Sequence, residues 1–337
     1  MSKNLHDMAL AYHKEGMPGK IDVSSHKKLN NDQDLSLAYS PGVAAPVREI
    51  VKDPSNVNQY TIKGNLVAVI TDGSAVLGLG NVGPLAAKPV MEGKAVLFKY
   101  FADINAFNIE LDTQDVDEIV KTVKNIAPTF GGINLEDISA PRCFEIEERL
   151  IEELDIPVFH DDQHGTAIIV AAGLLNALEI QGKSVTSAKI VVAGGGSAGI
   201  ATLDLLVSLG FKKENMLLVD RRGVVSKEQI SIVNKYKAAF AVDTDKKTLS
   251  DAIDGADVFI GVARGNLVTQ EMIKSMAKKP IIFALSNPDP EISVEEVFAC
   301  REDALMATGR SDFPNQVNNV IGFPYIFRGA LDANSKI

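Results

Sequence analysis

Two acidic pairs and a glycine-rich turn are the parts of this 337-residue chain whose residue types and spacing could do chemistry. Glu136 and Asp137 close the apolar run GGINL, and Asp161 and Asp162 close PVFH. Where strands run parallel, their carboxyl ends line the ligand crevice. Four carboxylates gathered there would repel one another unless a cation joined them. An oxygen-only donor set suits Mg2+ or Mn2+ rather than zinc. The competing reading is two separate solvated turns, because acidic pairs are common on protein surfaces. His160 and His164 flank the second pair and could serve zinc, whereas a lone histidine by default packs or faces solvent.

The glycine turn is more specific. Gly194, Gly196 and Gly199 fit G-x-G-x-x-G directly after the apolar run Lys189 to Ala193. The first glycine permits a tight turn, the second lets backbone approach a pyrophosphate, and the third lets helix and strand pack closely. Gly195, Ser197 and Ala198 complete the turn, and the helix beginning there offers free N–H groups and a positive dipole end to phosphate. Asp220 ends the next strand and is placed to meet a ribose diol. A carboxylate there favours NAD, because it would repel a 2′-phosphate. Arg221 and Arg222 follow at once and could neutralise that phosphate, which keeps NADP open.

The elements that must position these groups alternate along the chain. VAVITDG (67–73), 106–111, GGINLED (131–137) and PVFHDD read as strands. Residues 85–100 read as a helix open to interruption at Pro89 or Gly93, and residues 116–126 as another. EIEERLIEEL places Ile146, Leu150, Ile151 and Leu154 on one helical face. A second block follows, with a long apolar helix from Thr166, the glycine-turn unit, MLLVD, ADVFIGVA and PIIFALSNP. Strands alternating with helices predict an α/β protein with parallel sheets covered on both faces. The boundary is placed near residue 160, giving an N-terminal α/β domain over 1–160 and a Rossmann-type doubly wound domain over 161–337.

Composition narrows the function classes. Hydrophobic residues make up 46% and charged residues 23%, as in an ordinary globular enzyme. The net charge of −10 comes with no basic stripe, which argues against nucleic acid. The longest apolar run, near Ala167 to Leu175, is too short to cross a bilayer, and the first residues show no signal-peptide pattern. Two cysteines, Cys143 and Cys300, make no disulfide scaffold, so a reducing, cytoplasmic setting is expected.

Beyond single features, SLAYSPGVAAPVREI, VITDGSAVLGLGNVGPLAAKPVMEGKAVLFK, NLEDI, FHDDQHGTA, GGGSAG, ALSNP and QVNNVIGFPYIFRGAL occur in that order. Together they closely resemble the malic enzyme family in its compact bacterial-type form, over roughly residues 5–332. The resemblance implies oxidative decarboxylation of (S)-malate to pyruvate and CO2 with NAD or NADP and Mg2+ or Mn2+. It implies that Tyr39 is the general acid and Lys94 the general base, with Asp161 beside the lysine. It further implies that Glu136, Asp137 and Asp162 hold the metal. Asn287 and Asn319 would touch substrate or nicotinamide, with Asn318 contributing. The segment 5–19 is implied to help form a homodimer, with Tyr39 acting across its interface.

Two departures stand out. Ser74 and Ala75 occupy the place of a malate-gripping arginine in larger family members, leaving the substrate carboxylate to asparagines and backbone N–H groups. The family usually continues with helices after RGALDA, so the resemblance reads the sequence as closing before its last helices. A malolactic enzyme, which turns malate into lactate with internally recycled NAD, and a non-catalytic dinucleotide-binding protein are the alternatives.

Overall fold

The computed structural model describes residues 3–76 and 78–337; Leu77, inside the TDGSAVLGLG motif, lies outside them. Four helices come first: α1 (Lys3–Lys14), α2 (Asp32–Ala38), α3 (Ala44–Lys52) and α4 (Val57–Tyr60). No residue from 5 to 66 is fully buried, and Leu35, Leu37, Val47 and Val51 stand exposed.

The first sheet has four parallel strands in the order β2-β1-β3-β4. These are β1 (Leu66–Thr71), β2 (Asn105–Glu110), β3 (Gly132–Leu135) and β4 (Val158–His160). The helices α5 (Gly83–Ala102), α6 (Val116–Ile126) and α7 (Arg142–Glu153) connect them. The interruption allowed for at Pro89 or Gly93 does not occur, and α5 runs unbroken through both. Its buried face, Ala87, Met91, Ala95 and Phe98, repeats at helical spacing and pins the helix to the sheet, so packing overrides the proline's lost N–H. Lys94 lies on that same buried face.

A π-helical turn over Asp161–Gly165 leads from β4 directly into α8 (Thr166–Gln181). This helix is apolar around most of its girth and crosses to the second sheet, and Gly182 ends it at φ +68°. The second sheet runs β10-β9-β8-β5-β6-β7. It comprises β5 (Ile190–Ala193), β6 (Met216–Asp220), β7 (Gly223–Val224), β8 (Val258–Gly261), β9 (Ile281–Ala284) and β10 (Leu305–Thr308). In order of appearance this is the doubly wound arrangement, with a short antiparallel β7 where a third parallel strand would stand. Its helices are α9 (Ser197–Ser208), α10 (Lys235–Ala238), α11 (Leu249–Ile253), α12 (Gln270–Ser275) and α13 (Val294–Phe298).

The two sheets share one core. A single apolar cluster joins Ala68, Ile70 and Ile133 of the first sheet to Val192, Ile260 and Phe283 of the second through Val170 and Leu174 of α8. The last helix, α14 (Phe323–Ala333), turns back to the first sheet. Its Phe323 and Phe327 meet Phe98 edge-to-face at 4.8 and 5.2 Å. The expected boundary near 160 thus falls at the end of β4, while the segment assigned to 161–337 sends its final helix home to the first unit. Among the described residues no helix is long and apolar enough to cross a membrane.

Candidate active site

The acidic pairs meet. β3 and β4 are adjacent and parallel, so the turns beyond their carboxyl ends lie side by side. Oxygen atoms of Glu136, Asp137 and Asp162 lie within 4.8 Å of one another. The Asp162 carboxylate accepts the Asp137 backbone N–H at 2.7 Å. Asp137 holds φ +54°, a conformation uncommon outside glycine, of the sort concentrated at functional sites.

Lys94 reaches this cluster from α5. Its Nζ lies 2.6 Å from Asp161 Oδ2 and 2.9 Å from Glu136 Oε1, with the Phe323 ring centroid at 4.4 Å. Burial alone would lower the lysine pKa, but Asp161, Glu136 and Asp162 outweigh it and hold the ammonium charged. The carboxylates move the other way. Burial pushes Asp161 and Asp162 to about 6. Burial, reinforced by the charges of Asp162 and Glu136, pushes Asp137 to about 9.

This donor set fits a hard divalent cation. Three carboxylates converge, and Asp137 Oδ2 is buried with no hydrogen-bond partner. Neither flanking histidine belongs to the cluster, although His160 Nδ1 lies 3.8 Å from Asp162 Oδ2. His160 is fully buried, and its burial lowers the pKa, favouring the neutral ring. His164 turns to Glu147 at 2.9 Å. The zinc reading of these histidines is therefore set aside.

The cluster opens onto a cleft of about 420 Å3 between the sheets, whose walls include Asp137, Asp162, Gly196, Ser197 and Ala198. Asn287, Asn318 and Asn319 line it too. Asn318 is committed locally: its Oδ1 accepts the Val320 N–H and its Nδ2 donates to the Gly309 carbonyl, both at 3.0 Å. The glycine turn follows from close approach. A Cβ at Gly199 would stand 1.8 Å from the Gly194 carbonyl oxygen, and one at Gly194 (φ +125°) would stand 2.6 Å from that of Val262. Gly195 packs against Lys237 and Asp220.

Asp220 occupies a separate cleft with Arg221, Arg222 and Lys237. Its carboxylate binds Lys237 Nζ at 2.6 Å and accepts the Arg222 N–H at 2.8 Å. Burial opposes this charge, yet the two partners hold its pKa below the usual range. Tyr39 is the residue the single chain does not bring in. It ends α2 at 72% exposure, outside the residues lining the cleft.

Sequence reasoning missed four residues here. Asn134 donates to Glu136 Oε2 at 2.9 Å; its place two residues earlier on the same strand face was a usable signal. Lys237 gave none, since 17 residues separate it from Asp220. Arg142 binds Asp72 at 3.0 Å and donates to Ser74 Oγ at 3.0 Å, joining the loops beyond β1 and β3. Arg264 stands exposed on the cleft wall.

A doubly wound dinucleotide sheet and a buried lysine–carboxylate cluster meeting across one cleft define a two-sheet, dinucleotide-binding class of protein. Residues 18–151 match the family described as malic enzyme, N-terminal domain, and residues 163–336 match malic enzyme, NAD binding domain. The chain belongs to the malic enzyme family. It is 59% identical over 327 residues to an NADP-dependent malic enzyme of Halomonas elongata, covering 97% of this chain and 77% of that protein. An NADP-dependent malic enzyme of Rhizobium meliloti is 57% identical over 97% of this chain, which spans 43% of that protein's length. A bifunctional malic/malolactic enzyme of Bacillus subtilis is 55% identical, covering 98% of this chain and 81% of that protein. The crystal structure of an NAD-dependent malic enzyme from Thermotoga maritima superposes with a TM-score of 0.90 at 46% identity, covering 100% of this chain and 88% of that one.

Proposed function

We propose that this chain catalyses divalent-cation-dependent oxidative decarboxylation of (S)-malate to pyruvate and CO2 with reduction of NAD(P)+. The observation that carries the reading is Lys94, buried between Asp161 and Glu136 beside a three-carboxylate cluster that opens onto the dinucleotide cleft.

Glu136, Asp137 and Asp162 would hold the cation. When bound, the cation supplies positive charge at the oxygen on C2, and the dinucleotide supplies the hydride acceptor. Lys94 first passes a proton to Asp161, 2.6 Å from its Nζ, and as the neutral amine then takes the proton of the substrate hydroxyl as C2 is oxidised. Asn287 and Asn319, which line the cleft, orient substrate and nicotinamide. After CO2 leaves, C3 requires a proton, which Tyr39 delivers. Because Tyr39 lies outside its own chain's cleft, it serves the cleft of a second copy, and the exposed apolar side chains of α2 and α3 form part of that homodimer contact.

The cofactor reading turns on Lys237. The Asp220 carboxylate, the basis for preferring NAD, is already neutralised by that lysine, and Arg221 and Arg222 share the cleft. A 2′-phosphate therefore meets net positive charge, and NADP+ is the favoured dinucleotide. The malolactic outcome remains the second reading because the Bacillus subtilis relative is a bifunctional malic/malolactic enzyme.

The test is an assay of the purified chain with (S)-malate, Mn2+ and each dinucleotide, with products identified. Pyruvate and reduced dinucleotide in equal amounts support the reading. Lactate without net reduced dinucleotide selects the malolactic alternative, and dinucleotide binding without turnover overturns both. Mixing Tyr39→Phe with Lys94→Ala chains tests the shared site. Exchange between copies should restore about a quarter of wild-type activity if Tyr39 acts across the interface, and none if it acts within its own chain.

A further inference from the structure

The turn that presents Asp161 and Asp162 is gripped from behind by a carboxylate outside the cleft. Glu147 lies on α7, with its side chain 7% exposed. Its Oε1 accepts the His160 backbone N–H at 2.8 Å. Its Oε2 accepts from Gln163 Nε2 at 2.9 Å and meets His164 Nε2 at 2.9 Å. These three partners bracket Asp161 and Asp162 in sequence, while the acidic pair faces Lys94 and the Asp137 backbone.

π-helical turns are rare, occur mostly as single turns and are frequent at functional sites. Gly165 shows how little slack this one has, since a Cβ there would stand 1.8 Å from Asp161 Oδ1. Buried carboxylates are costly unless fully hydrogen-bonded, and Glu147 spends its acceptor capacity on this turn. Two features together mark the arrangement as more than a helix-to-loop tie: it holds both ends of the acidic pair, and it comes from an element carrying none of the three clustered carboxylates.

We propose that Glu147 is a positioning residue for the cation site. By fixing the 160–164 turn it sets the distance of the Asp162 carboxylate from Glu136 and Asp137. The proposal rests on reading that cluster as a cation site. Outer partners of this kind typically change metal affinity by about 10- to 100-fold.

The experiment measures Mn2+ binding directly, from the electron paramagnetic resonance signal of free Mn2+, on wild type and Glu147→Gln. NADH fluorescence and thermal melting are recorded alongside. The expected result is a folded variant with Mn2+ affinity lowered about 10-fold or more and NADH affinity within about twofold of wild type. Its turnover should be largely recovered by raising Mn2+. Unchanged Mn2+ affinity in the folded variant overturns the proposal, as does a parallel loss of NADH binding. If Glu147→Gln does not fold, Gln163→Ala and His164→Ala, which each remove one tie from the turn side, decide the matter. Weakened Mn2+ binding in either supports the proposal, and wild-type binding in both overturns it. Failure of the wild type to bind Mn2+ would instead refute the cation site itself.

Discussion

Removing the Lys94 side chain tests the catalytic and electrostatic readings together. Lys94→Ala takes away the ammonium 2.6 Å from Asp161 and 2.9 Å from Glu136 and leaves both carboxylates buried. Breaking a buried pair in this way costs about 3–5 kcal/mol. For a protein of this size that lowers Tm by about 4–7 °C. The cost depends on pH, and its sign follows from proton counting. Without the ammonium, the folded-state pKa values of Asp161 and Glu136 stand further above the unfolded value of about 4. The folded state then binds more protons than the unfolded chain, so stability falls as pH rises. The window opens near 4 and extends past the value of about 6 that Asp161 has even with Lys94 present. The Tm deficit of the cation-free variant should therefore be largest at pH 8 and shrink toward pH 5. Malate oxidation should be abolished while NADH affinity, read by fluorescence, changes little, because the glycine turn lies on the other sheet. An equal Tm deficit at both pH values would refute the electrostatic argument, and loss of NADH binding together with activity would assign Lys94 a structural role.

Four further outcomes are expected. Gly199→Ala should weaken NADH binding by about tenfold or more, because its Cβ would sit 1.8 Å from the Gly194 carbonyl oxygen; fluorescence titration checks this. Mn2+ at 100 times its dissociation constant should stabilise the wild type by about 2.7 kcal/mol in urea titrations, and Asp162→Asn should lose most of that gain. The same variant without cation should be more stable than wild type at pH 8, since the Asp162 charge helps push Asp137 to about 9. Lys237→Ala should raise KM for NADP+ by about tenfold and leave NAD+ within about threefold, because it returns full charge to Asp220.

Much of this architecture is written into the local pattern. Parallel sheets follow from the alternation of apolar runs with helices, and the carboxyl ends of β3 and β4 place Glu136, Asp137, Asp161 and Asp162 where sequence reasoning puts them. The glycine spacing and the strand before it locate the dinucleotide turn without further help. What escaped depends on contacts distant in sequence. Whether Pro89 breaks α5 is decided by how firmly Met91, Ala95 and Phe98 pack on the sheet, and a helical period cannot weigh that. The return of α14 rests on three phenylalanines spread from 98 to 327. Lys237 reaches Asp220 from α10, so the charge balance at that strand end cannot be read from the acid alone.

The course of the chain between the sheets gives the cluster a mechanical meaning. Glu136 and Asp137 stand at the end of β3, whereas Asp162 stands at the root of α8, the helix that runs into the second sheet's core. Glu147 ties the 160–164 turn back to α7, so the root of α8 is clamped to the first sheet at the point where the helix leaves it. The acidic cluster therefore sits where the chain passes from one sheet to the other, and the same few residues shape both the cluster and the crossing.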